Sequence, residues 1–311
     1  MPTFQDTIQG FKIYGLCNDD VEIAIMPELG AKVSSLVQRA TRREWLWTPP
    51  QGAHFFHQPT GSSFLESSIV GADECIPTIV PCHWRGRDLT DHGEVWTEAW
   101  TLDETAFAQG VLVTSIKFPI SPFWLERRIS LVDNNVRFEY TLRNESAELQ
   151  EFMWAYHPLM NISEGDQLVL PAGTGMRTYV AGNCPWDKGD EMRWRWPNLA
   201  PGTQIEHLDL GGSGRGIKLF SDPVSSGNVA IHNPRTGEKL TYTFDAKQVD
   251  TIGIWLNRGS WNGYQHLAIE PGIGAPDPLD RAVQDWQRFG AVAPGEITQW
   301  WFALSLTVEK P

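Results

Sequence analysis

No stretch of the chain approaches about eighteen consecutive apolar residues, so the sequence offers no helix able to cross a membrane. The opening Met1-Pro2-Thr3-Phe4-Gln5-Asp6 also lacks the basic end and apolar run of a secretory signal. Cysteine is scarce. The four, at 17, 75, 82 and 184, form no CxxC pair and read as buried thiols. Positive charge is in deficit: 25 Lys and Arg stand against 38 Asp and Glu, a formal net of −13, the wrong sign for a nucleic-acid backbone or an anionic membrane. The expectation is a soluble, cytoplasmic protein, monomer or homodimer, with no nucleic-acid or membrane partner. A small anionic substrate stays open, because a local arginine cluster can reverse the field.

Ligand spacings for a metal are missing too. No histidine stands in HxH or HExxH, His92 followed by Glu94 is two thirds of a facial triad, and His54 and His57 lie in a segment without helical signal. There is no GxSxG elbow for a serine nucleophile. Gly211-Gly212-Ser213-Gly214-Arg215-Gly216 has neither a following helix nor a P-loop lysine and reads as a strand connection. No metal and no cofactor are expected.

What the sequence does hold is strand after strand. Residues 123–142 read as a hairpin turning at Asp133-Asn134-Asn135, with Val136, Phe138, Tyr140 and Leu142 on one face and Arg137, Glu139 and Thr141 on the other. Near the end, Trp300, Phe302, Leu304, Leu306 and Val308 recur at every second residue. One helix is expected, capped by Asp277-Pro278, carrying Ala282, Val283, Trp286 and Phe289 on one face and stopped by Gly290. Period-two patterning with so little helical periodicity predicts one large all-β antiparallel sandwich over residues 1–311. Two irregular segments, about 50–98 and 182–201, are expected to line a site.

Candidate chemistry gathers at two places. Leu267-Ala268-Ile269 reads as a buried strand ending in Glu270, with Pro271-Gly272 turning the chain. A glutamate at the rim of a core is either a working base or a strand-end carboxylate paired with Arg258. His157, in Trp154-Ala155-Tyr156-His157-Pro158, stands in a similar position and is either an acid or a satisfied core histidine.

Four motifs, Gly71-Ala72-Asp73-Glu74-Cys75-Ile76-Pro77-Thr78, Asp91-His92-Gly93-Glu94, the His157 segment, and Gly253-Ile254-Trp255-Leu256-Asn257-Arg258-Gly259 with Ala268-Ile269-Glu270-Pro271, carry a resemblance over nearly the full chain. It resembles the aldose 1-epimerase (galactose mutarotase-like) family. The resemblance implies a cofactor-independent mutarotase that interconverts the α and β anomers of a free sugar. His157 matches the family's acid, Glu270 its base and His92 its first sugar-binding histidine. Asp187 is the one candidate for its sugar-binding aspartate. Ring opening needs a proton removed from the anomeric hydroxyl and one delivered to the ring oxygen, roles that carboxylate Glu270 and imidazolium His157 fill. Trp96, Trp255 and Tyr156 are expected to stack on the sugar, and Asp73, His92 and Asn257 to take hydroxyls. Taken singly, Trp96 and Trp255 are more often core than platform.

Two other classes remain open. A non-catalytic carbohydrate-binding sandwich would not need His157 paired with Glu270. A glycoside hydrolase or lyase-like sandwich would need a second carboxylate, from Glu74, Glu94 or Glu98. A phosphorylated or sulfonated sugar would draw on Arg43, Arg85, Arg87, Arg127, Arg193 or Arg258.

Overall fold

The strict alternation of the hairpin and of the last strand is what assembles the smaller of two sheets. The computed structural model describes residues 2–182, 192–200, 203–204 and 214–309. Strands Phe123–Val132 and Asn135–Asn144 pair antiparallel about a turn at Asp133, and Ile297–Val308 pairs with the second of them. Phe138 lies opposite Phe302, and Tyr140 opposite Trp300, and both pairs stack almost flat, with ring centroids 4.5 and 5.2 Å apart. The other face carries Arg137, Glu139 and Thr141, half-exposed. Eight strands among the described residues make up this sheet.

The larger sheet has fourteen strands among the described residues. Its centre runs, side by side, through Ala72–Cys75, Trp154–Pro158, Gln265–Ile273, Thr251–Arg258, Arg215–Ser221 and Gly175–Gly182. Side chains alternate across a sheet. Tyr156, Ile217, Leu219, Ile254, Leu256, Leu267 and Ile269 therefore turn inward, into one core shared with Phe138, Tyr242, Phe302 and Leu304 of the smaller sheet. Tyr156 packs on Phe302 at 4.8 Å, so it cannot stack on a ligand as expected. The fold is a large, mostly antiparallel β-sandwich in a single domain.

A buried ion pair pins the inner face beside His157. Arg127 and Glu74 are both fully buried, 3.0 Å apart, and the carboxylate also accepts from Tyr140 Oη at 2.7 Å and Trp154 Nε1 at 2.8 Å. A charge so deep is tolerated because both carboxylate oxygens accept hydrogen bonds and Arg127 also donates to the Ala31 carbonyl. Glu74 lies opposite Tyr156, and its neighbour Asp73 opposite His157, so fixing Glu74 fixes the strand that flanks the histidine.

Three local expectations change. Glu270 does not end a strand: the ladder continues through Pro271 and Gly272 to Ile273, with Pro271 opposite Ile252. The helix is shorter and its cap differs. A turn at Leu279–Arg281 runs into a π-helical Ala282–Trp286, ending at left-handed Gln287, while Phe289 is exposed. Asp277 does not cap it, because its carboxylate faces Lys218 instead. Within 182–201, Arg193–Arg195 and Asn198–Ala200 are strands that extend the large sheet, while residues 183–191 lie outside the described residues. Asp187 and Cys184 lie outside the described residues.

Candidate active site

Outward-facing residues of the same central strands form the floor of a cavity of about 320 Å³. His157, Lys218, Trp255, Asn257 and His266 come from four of those strands, and Tyr179 from a fifth. One wall comes from the 50–98 segment: Phe64 and Leu65 in a short 3₁₀ turn, with Ile69, Ile79, Val80, Asp91 and His92.

At the floor His157 Nε2 stands 3.6 Å from Glu270 Oε1. That exceeds a hydrogen bond, but one bound oxygen can come within reach of both. Glu270 is 1 % exposed and lies just beneath the cavity surface, under His157 and Lys218. Its Oε2 is held by the Lys218 ammonium, whereas Oε1 has no hydrogen-bond partner. The Arg258 pairing entertained from sequence does not form; Lys218 takes that place. Gly253, directly opposite on the neighbouring strand, leaves the room that Glu270 occupies.

Electrostatics divide the pair. Burial raises the pKa of Glu270, with the nearby Lys218 charge opposing. Burial pulls His157 well below its ordinary value, and His92, Lys218, His266 and Lys32 push it further the same way. At neutral pH His157 is therefore a neutral imidazole, not the imidazolium expected from sequence. Lys218 feels the same burial but stands raised, because Asp277, 3.5 Å away, and Glu270 hold its charge.

His92 occupies the left-handed region, with φ 57°, a conformation histidine tolerates better than most residues. Gly93 follows with φ 81°, where a β-carbon would strike the Ile76 carbonyl oxygen. This bend lays the His92 ring flat on Phe64, centroids 3.9 Å apart, with its edge toward His157 at 5.2 Å. Asp91 fixes the ring through Nδ1 at 2.8 Å.

The remaining sequence candidates separate. Trp255 lines the cavity, edge-on to Trp261 at 4.4 Å. Asn257 lines it too, but its amide bonds the backbone of Trp261 in both directions and so holds that turn. Asp73 is turned away into a buried pair with Lys32. Trp96 stands behind Phe64, its indole N–H donated to the Asp91 carbonyl. Neither Asp73 nor Trp96 is among the described cavity-lining residues. Lys218, Asp277, His266 and Phe64 are not among the site residues expected from sequence, where Asp277 reads only as a helix cap. A lone lysine between core-facing Ile217 and Leu219 was the available signal for the first.

No described group of three His, Cys, Asp or Glu side chains is close enough to hold a metal ion. No arginine is among the described lining residues. Arg43 pairs with Asp166, Arg85 with Glu151 and Arg127 with Glu74, while Arg87 bonds Gln150 and Arg193 lies near Asp222.

No protein-family model matches the sequence, and no curated protein matches it significantly. Solved structures do match the fold. The Slr1438 protein of Synechocystis sp. PCC 6803 superposes with a TM-score of 0.72 at 16% identity, over 99% of this chain and 100% of that one. A galactose mutarotase-like protein of Clostridium acetobutylicum gives 0.69 at 15%, over 99% and 98%. A galactose mutarotase related enzyme of Lactobacillus acidophilus gives 0.66 at 16%, over 95% and 97%. The chain shares the galactose mutarotase-like fold.

Proposed function

We propose that this protein is an aldose 1-epimerase that interconverts the α and β anomers of a free, uncharged aldose. The observation that carries the reading is Glu270 Oε1: buried, without a hydrogen-bond partner, and 3.6 Å from Nε2 of His157, which, unlike Glu270 itself, is among the lining residues of a cavity roomy enough for a monosaccharide. A carboxylate oxygen left unmatched in a core is costly unless a bound group completes it. An anomeric hydroxyl completes it by donating its proton.

Glu270 takes that proton while His157 hydrogen-bonds the ring oxygen through Nε2–H and protonates it as the C1–O5 bond opens. A neutral imidazole can act as such an electrophile when its surroundings refuse a second proton. The Lys218 and Lys32 charges, which help depress its pKa, also ease the loss of its N–H proton. The open aldehyde turns about C1–C2 and recloses with both proton transfers reversed. Trp255 and Trp261 offer faces to the sugar's C–H groups, and His92, His266 and Asn262 offer polar edges.

Uncharged substrates are favoured because Lys218, the lining cation, is already held by two carboxylates, and Asp91 adds further negative charge. The hydrolase reading loses its named partners: Glu74 is bound to Arg127, Glu94 to Ser121 and the Ile120 amide, and Glu98 accepts from the Thr60 and Thr97 hydroxyls, none of the three being among the described lining residues.

The test follows optical rotation of freshly dissolved pure anomers across a panel of neutral and 6-phosphorylated aldoses. A neutral sugar should be turned over, and Glu270→Gln and His157→Asn should each lose about 10²- to 10⁴-fold while staying folded. Mutarotation by Glu270→Gln within about threefold of wild type would remove Glu270 as the base.

A further inference from the structure

We propose that Lys218 is a third working member of this site, a positioning residue whose ammonium anchors Oε2 of Glu270 and leaves Oε1 as the oxygen that faces substrate. The chemical meaning of this rests on the epimerase reading, but the anchor itself is a matter of geometry.

Lys218 sits in Arg215–Ser221, where Ile217 and Leu219 enter the core and Lys218, opposite Trp255, faces the cavity. It is 5 % exposed, so its charge is withdrawn from water and requires compensation on the spot. Compensation comes from two carboxylates on separate segments: Glu270 within its strand and Asp277 from the chain beyond it. Packing alone would be served by an apolar side chain of similar length. What sets this pair apart is its place: Lys218 lines the cavity, and the unmatched Oε1 of Glu270 stands 3.6 Å from His157, which lines it too.

The groups surrounding Glu270 show why this anchor is decisive. His157 faces it from Trp154–Pro158, His92 from the cavity wall, and His266 shares its strand. Cys75 and Asp73 lie on Ala72–Cys75, the latter tied to Lys32. Asp277 opposes ionisation. Lys218 is the one described lysine or arginine in direct ion-pair contact with the carboxylate. It therefore does two things. It keeps the base charged, and it commits one oxygen so that proton transfer always uses the other.

The experiment uses the full chain with Lys218→Met, Lys218→Gln and Lys218→Arg. The carboxyl stretch of Glu270, assigned by its loss in Glu270→Gln, is followed by infrared spectroscopy against pH, alongside mutarotation kinetics. Lys218→Met and Lys218→Gln should raise the protonation midpoint of Glu270 by about one pH unit or more. They should also lower kcat at neutral pH roughly tenfold or more, with KM within about threefold. Lys218→Arg should restore most of the midpoint. A Glu270 midpoint within about 0.3 pH unit of wild type in both neutral variants would overturn the proposal. The infrared reading needs no turnover. A shifted midpoint in a protein that mutarotates no sugar supports the anchor and removes the epimerase reading; an active wild type with no shift does the reverse.

Discussion

Gly253 and Glu270 face each other across neighbouring strands so closely that a β-carbon at 253 would stand 2.8 Å from Glu270 Oε2. The glycine is there for the glutamate, since no left-handed backbone angle requires it. Gly253→Ala should displace the carboxylate from Lys218 without unfolding the sheet. Misplacing a catalytic group by about 1 Å can cost on the order of 10²-fold in rate. The check is kcat for anomer interconversion beside a thermal melt, and an alanine variant with wild-type kcat would contradict it.

The pH profile should have one limb rather than two. Glu270 must be ionised to act, and burial places its pKa above the usual carboxylate value, so the rate should climb through the acid range. His157 lies well below its ordinary value and stays neutral from there upward, so no fall should follow between pH 7 and 9. A descending limb near pH 6 to 8 that disappears in His157→Asn would instead mark a working imidazolium.

His92 should bind rather than transfer protons. His92→Ala should weaken substrate handling by very roughly 0.5 to 3 kcal/mol, seen in KM, or in kcat/KM if the bond tightens in the transition state. Asparagine also tolerates the φ of 57° found there, so His92→Asn separates loss of the ring from backbone strain. Unchanged kinetics on the preferred sugar would place His92 outside the site.

His266 should make the fold acid-sensitive. Burial lowers its pKa from 6.5 to about 4, so its contribution is complete above pH 6.5 and is lost as pH falls through about 4. At about 1.4 kcal/mol per pH unit this is on the order of 3 kcal/mol. Glu44, Glu94 and Glu270 are raised by burial and act in the opposite sense, gaining at low pH. The useful quantity is therefore a difference. Urea unfolding of His266→Gln should lose less stability than wild type between pH 7 and 4, and parallel curves would contradict the assignment.

Sequence patterning served best where one face of a strand is wet and the other dry. The 123–142 hairpin and the run from Trp300 were legible because their polar and apolar residues alternate strictly. Val308 alone of that run is exposed, where the strand passes the end of the core. The central strands were harder because both faces are buried, so Glu270 looked like an end when it is a middle. His157, Glu270 and His92 stood out through their motifs. Lys218 did not, because a lysine inside an apolar strand beside a glycine-rich run carries no motif. Asp277 was read as a helix cap because an acidic residue before proline usually is one, and only the fold brings an ammonium to it. Asp73 and Trp96 lie close in sequence to site residues, but local packing claims their polar atoms first.

The ordering of the large sheet bears on how this protein comes to life. The floor of its site is drawn from strands at 154–158, 175–182, 215–221, 251–258 and 265–273, neighbours in space but spread across well over a hundred positions of chain. Contacts of such long sequence separation form late, because their loop-closure entropy is met before any contact rewards it. A chain that has formed only its local hairpins holds His157 and Glu270 apart and binds nothing. Return of the proposed sugar turnover after refolding would thus time the closing of the whole sheet, and a ligand that bridges those strands stabilises the complete fold and no partial one.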